Sequence, residues 1–179
     1  MPLKLSSLTE PSLIIVSLAA TESTEALREM LARAFCSDRI ASHQAAEQIE
    51  QMVPGIGAKV GQSIIRQGED EILGELVHRE SLGTTGIGEA VAIPHTRHPL
   101  VKEMVLVMGR SHRGIDFNSL DGQPVRLFFL LLIPQEERVK HLAALAEIAK
   151  LVKAPNLVAQ MLQAPDAKEI YKLLKKAEG

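Results

Sequence analysis

The sequence predicts one compact α/β or α+β domain in which a sheet is covered by helices. Three observations carry this. The chain has 179 residues, 46% of them apolar, a length that suits one core better than two very small ones. Short apolar runs of strand type, above all Leu127 to Pro134 (LFFLLLIP), are interleaved with segments whose apolar residues recur at helical spacing. Turn residues punctuate the pattern, with Asp121-Gly122 as a strong signal.

Leu13 to Val16 reads as a short strand or as a lead-in to the first helix. Ser23 or Thr24 then offers an N-cap, followed by the acidic Glu25. Leu27, Met30, Leu31, Ala34 and Phe35 form the apolar face of that helix. Ala45 to Val53 carries a weak helical pattern, broken by Pro54-Gly55-Ile56-Gly57. Val60, Ile64 and Ile65 resume a face that ends at Gly68-Glu69-Asp70. Ile72, Leu73, Leu76 and Val77 mark a further helix, which runs into His78-Arg79-Glu80 and closes at Gly83. Beyond Gly88 the period changes. Ala90 to Ile93 is one strand and Met104 to Met108, ended by Gly109, a second. Val125 to Ile133 is a third and the most buried, stopped by Pro134. A long helix begins at Glu136 and ends at Pro155, a short one covers Asn156 to Leu162, and Pro165-Asp166-Ala167 opens the last.

Composition narrows the function. A net charge of −2 supplies no basic field for a nucleic-acid backbone, and aromatics at 3% supply few stacking platforms. No apolar run is long enough to span a bilayer, so membrane contact has to come through a protein partner. No secretion signal is apparent. The single cysteine, Cys36, cannot form an intrachain disulfide, suits a reducing compartment, and reads as buried filler in a helical stretch.

The stretch TTGIGEAVAIPH, Thr84 to His95, concentrates the chemistry. Gly86 and Gly88 permit a tight turn or a nest of N–H groups for an anion. Pro94 restricts the residue before it and ends the strand with a defined direction. His95 then emerges at the strand end. It is either a nucleophile, since neutral imidazole attacks through one nitrogen while the other donates to a carbonyl, or a partly exposed histidine that finishes a strand. His141, near the start of the long helix, can face a strand end and donate to a phosphoryl oxygen, or be an ordinary helix-boundary histidine. Arg79 and Arg97 are candidate phosphate forks or plain surface cations. His98 and His112 with His95 make a weak metal candidate, lacking HExxH and paired cysteines. No GxSxG elbow is present for a serine hydrolase, and Asp116 and Asp121 read as turn residues.

Arg79 to His95, RESLGTTGIGEAVAIPH, resembles the active-site signature of enzyme IIA domains of the fructose/mannitol class in the phosphoenolpyruvate-dependent phosphotransferase system, the nitrogen-regulatory type included. Asp121 to Val125 with the strand after it, and His141 to Ala149, resemble the same family. The likeness runs from about residue 5 to residue 174. It implies an α/β fold with a mixed central β-sheet flanked by helices on both faces. It implies one domain over 5–174, with a family-atypical insertion around 40–70 that forms an extra helical hairpin or an altered partner face. His95 matches the histidine that takes a phosphoryl group on Nε2 from the histidine-containing phosphocarrier protein. His141 matches the second active-site histidine, which helps bind that group, and Arg79 the arginine near it. Neither metal nor nucleotide is called for, and the expected location is cytoplasmic. Glu89-Ala90 stands where the family commonly has a small polar residue and glycine. With no fused IIB or IIC part in the chain, a regulator read by target proteins fits. A transport subunit passing the group to an enzyme IIB is the alternative, and a binding module that no longer uses its site is a third.

Overall fold

The computed structural model describes residues 3–41 and 48–179. Six strands form one sheet: β1 (Ile14–Ile15), β2 (Gly86–Gly88), β3 (Val91–Ala92), β4 (His95–His98), β5 (Val105–Ile115) and β6 (Val125–Pro134). The order is β1-β5-β6-β3-β2, and β4 also pairs with β6. β5 runs antiparallel to β6, whereas β3 and β4 run parallel to it, so the sheet is mixed. Among the described residues the main helices are α1 (Ser23–Ala34), α2 (Gly57–Ser81), α3 (Arg138–Val152), α4 (Leu157–Gln163) and α5 (Ala167–Ala177).

The apolar run of β6 is explained by burial on both faces. Phe128, Leu130 and Leu132 join Leu27, Met30 and Leu31 of α1 and Ile72 and Leu76 of α2 in one core cluster. Their alternates Leu127, Phe129, Leu131 and Ile133 join Ala144 and Ile148 of α3, Met161 of α4 and Ile170 and Leu174 of α5 in the other. The expected sheet between two helical layers is therefore what the chain builds. Arg110, buried in β5, donates to the carbonyls of Val16, Met161, Leu162 and Ala164, tying the end of α4 to the sheet.

Several local expectations need correction. Pro11–Leu13 is a 3₁₀ turn that delivers β1. The N-cap of α1 is Glu22, with no side-chain cap; the Glu25 and Glu29 carboxylates instead accept the N–H groups of Thr21 and of Ala19 and Ala20. Of the expected 45–53 helix, 48–52 is helical and 45–47 lies outside the described residues. Helix α2 does not end at Gly68. A lone glycine costs a helix only about 1 kcal/mol against alanine, and here a Cβ would lie 2.7 Å from Leu100 Cδ1 and 3.2 Å from Phe35 Cε1. The glycine admits close packing rather than a stop. β5 likewise passes through Gly109, which pairs with Phe128, because the ladder needs backbone and not a side chain. Cys36 is exposed, its Sγ donating to Ala32 O, since it follows the last inward turn of α1.

Candidate functional site

Glycines 86 and 88 lie in β2, which pairs antiparallel with β3. Glu89 and Ala90 form the two-residue turn between them, with φ of 54° and 63°, the signature of a type I′ hairpin. A Cβ on Gly86 would sit 2.8 Å from Ser119 Cα, so the 117–121 loop demands glycine there. The N–H groups of Thr85, Gly86, Gly88 and Glu89 are taken by Glu80, Thr84, Ser119 and Asp121. The nest reading of the glycines is thereby excluded; they shape a turn. Glu80 had no sequence signal of its own. Its carboxylate accepts both Thr85 N–H and Thr85 Oγ1–H at 2.6 Å, clamping the end of α2 to the hairpin.

Pro94 separates β3 from β4, and both lie parallel along β6. Proline cannot supply a ladder N–H, so pairing to β6 pauses at 93–94 and resumes as β4 in unchanged register: Ala92 opposite Phe128, His95 opposite Leu131. The strand before Pro94 does stop, at Ala92, but a further strand that the sequence expectation lacked follows directly. The pause leaves Ile93 O beside the ring of His95, 2.8 Å from Nδ1. A carbonyl only accepts, so Nδ1 carries the hydrogen and Nε2 is the lone-pair nitrogen of the neutral ring.

Alternation along β4 then sorts the side chains. His95 and Arg97 lie opposite Leu131 and Ile133, on the α3 side of the sheet. Thr96 and His98 face α2, where Thr96 Oγ1 donates to Glu75 and His98 Nε2 is 3.8 Å from Glu71. His141 sits in the first turn of α3, and its ring centroid is 5.2 Å from that of His95. Arg79, in the last turn of α2, donates through Nη1 to Gly83 O at 3.0 Å. His95, His141, Arg79 and Arg97 line one cleft of about 430 Å³, together with Glu75, His78, Leu82 and Gln135. His112 lies in a separate cleft with Ser17 and Thr21. Among the described residues no group of three His, Cys, Asp or Glu is placed to hold a metal ion.

Burial pushes the His95 ring below the ordinary histidine value; the Ile93 bond opposes this, Arg79 adds to it and Glu80 opposes it. His141 is pushed the same way, first by burial, then by His95, Arg97 and Arg79. Burial and the neighbouring arginines thus favour the neutral form of both rings. Two buried polar atoms here lack a partner, Nε2 of His141 and Nη1 of Arg97. Two imidazoles and two guanidinium groups around one cleft suit an anionic ligand.

Residues 7–177 match the model of the family described as the phosphoenolpyruvate-dependent sugar phosphotransferase system, EIIA 2. The chain belongs to that family. Within it, the chain is 39% identical over 125 residues to a nitrogen regulatory protein of Bradyrhizobium diazoefficiens, covering 70% of this chain and 81% of that one. It is 32% identical over 148 residues to the fructose-specific EIIABC component of Bacillus subtilis, covering 83% of this chain but 23% of that much longer one. The crystal structure of the nitrogen regulatory protein IIA-Ntr from Neisseria meningitidis superposes with a TM-score of 0.69 at 24% identity, covering 95% of this chain and 98% of that one, which shows the shared fold. Among the described residues, this EIIA chain has no helix long and apolar enough to cross a membrane.

Proposed function

We propose that this chain is a phosphoryl carrier that accepts a phosphoryl group on His95 Nε2 from the histidine-containing phosphocarrier protein and acts as a regulator of the nitrogen-regulatory type. The observation that carries the reading is the Nδ1–H···O=C bond to Ile93, which leaves Nε2 as the nucleophilic nitrogen beside His141. The Nε2 lone pair forms the new N–P bond as the donor's N–P bond breaks, and that electron pair returns to the donor ring. A donor ring that keeps its own second N–H leaves as neutral imidazole, so no proton has to move. His141 and Arg79 bind the phosphoryl oxygens rather than receive the group. Placement and charge neutralisation supply most of such a transfer.

Exposed apolar side chains beside the cleft support a protein donor and protein readers. Leu82 on its rim is 72% exposed, and Val139 and Leu142, either side of His141 in sequence, are 83% and 68% exposed. The same reading takes 5–174 as one domain, the 40–70 segment as an addition to the family pattern, and the cytoplasm as its place of work. Likeness to nitrogen regulatory proteins favours regulation. Likeness to the fructose-specific component over 83% of the chain favours the second reading, transfer onward to an enzyme IIB.

Incubation with phosphoenolpyruvate, enzyme I and the carrier, followed by intact mass and acid treatment, tests the acceptor. Wild type is expected to gain one acid-labile phosphoryl group and His95→Ala none. A labelled His95→Ala protein would overturn the assignment.

A further inference from the structure

Arg97 holds a buried guanidinium nitrogen with nothing to donate to. Leaving a charged donor buried and unpaired is costly, and the cost is removed when an anion arrives. Three features place that anion. First, Arg97 stands two residues after His95 on β4, so both side chains leave the same face of the strand, about 6–7 Å apart along it. Second, the ladder puts both opposite β6 residues of the α3-side core, Leu131 and Ile133, and on that face His95 meets the ring of His141 from the first turn of α3. Third, the other unpartnered polar atom of the cleft is Nε2 of His141, and Arg97 is close enough for its charge to bear on that ring. Arg79, by contrast, already spends Nη1 on Gly83 O at the end of its own helix. The cation with a vacant buried donor is thus the one on the nucleophile's own strand.

We propose that Arg97 is a phosphoryl-binding residue, its Nη1–H forming with His141 Nε2 a cradle for the oxygens of the group carried on His95. A tetrahedral dianion presents oxygens to both donors, and the planar fork of arginine matches adjacent oxygens where a lysine offers one point charge. Arg97 meets the anion alongside Arg79, which binds it while its Nη1 also ties the α2 terminus to Gly83.

The proposal rests on the phosphoryl-carrier reading, and its test separates the two. Inorganic phosphate is titrated into the unphosphorylated protein while ring ¹⁵N resonances of His95 and His141 are followed, in wild type, Arg97→Met and Arg97→Lys. Transfer from the carrier is timed in parallel, with amide spectra confirming that each variant is folded. Arg97→Met is expected to weaken phosphate binding at least about tenfold and to slow transfer by about 10²–10³-fold. Arg97→Lys is expected to recover part of both. Phosphate binding to Arg97→Met equal to wild type, or wild-type rings that ignore phosphate, overturns the role. Failure of wild type to accept a group from the carrier instead defeats the carrier reading, and phosphate affinity still decides the part played by Arg97.

Discussion

At the scale of single residues, the protonation of two rings sets what the site can do. His95 and His141 are both held below the ordinary value, His95 chiefly by burial against the counter-effect of its Ile93 bond. In the unfolded chain each ring takes its proton near about 6.5; in the folded chain only at lower pH. The stability they contribute is therefore fully present above about 6.5 and is lost as pH falls from there through the folded values. Denaturant titrations of wild type and the His95→Gln/His141→Gln double variant check this, the variant being expected to lack that part of the acid loss. The same shift favours the free base at Nε2, so the transfer rate should fall at lower pH than for an ordinary histidine. A rate that halves at or above 6.5 would show an unshifted nucleophile. The three residues expected from the signature, His95, His141 and Arg79, do share a cleft. Their types and spacing were legible; the tautomer was not, because it depends on a carbonyl freed by a break in sheet pairing.

At the scale of elements, the β2–β3 hairpin carries strain that the sequence half revealed. Both turn residues, Glu89 and Ala90, are non-glycine residues with positive φ, and Ala90 adopts φ of 63°. Left-handed geometry costs an L-residue with a Cβ about 1–2 kcal/mol. Ala90→Gly is expected to raise stability by about 1 kcal/mol in urea unfolding, with the fold unchanged; a loss of stability would contradict the turn assignment. Element types were readable wherever apolar periodicity was long, as in α1, α3 and β6. Ends were not. Pro94 reads as a stop, yet β4 resumes directly after it, because a neighbouring strand keeps the register that one missing N–H interrupts. Gly68 reads as a stop, yet it is where α2 closes against Phe35 and Leu100. In both cases tertiary packing overrides a local signal, and a sequence window contains no trace of the partner. The Glu80 clamp on Thr85 was missed for the same reason, since its five-residue spacing has no meaning outside this turn.

At the scale of the whole molecule, two helical layers meet the sheet so that the end of α2, the start of α3 and β4 converge on one cleft. The chain carries a net charge of only −2, and a phosphoryl group adds about two negative charges at that spot. A change of this size beside exposed apolar residues is suited to switching a protein partner. Under the regulatory reading, pull-downs with phosphorylated wild type and with His95→Ala recover different partners. Identical partners in both states, with efficient transfer to a dedicated enzyme IIB, would favour the transport reading. Everything downstream depends on which atom bears phosphorus, and correlated ³¹P and ring-¹⁵N spectra of the phosphorylated protein identify it. The expected result is phosphorus coupled to Nε2 of His95, with Nδ1 still protonated and bonded to Ile93. Phosphorus on Nδ1 of His95, or on either nitrogen of His141, would contradict it.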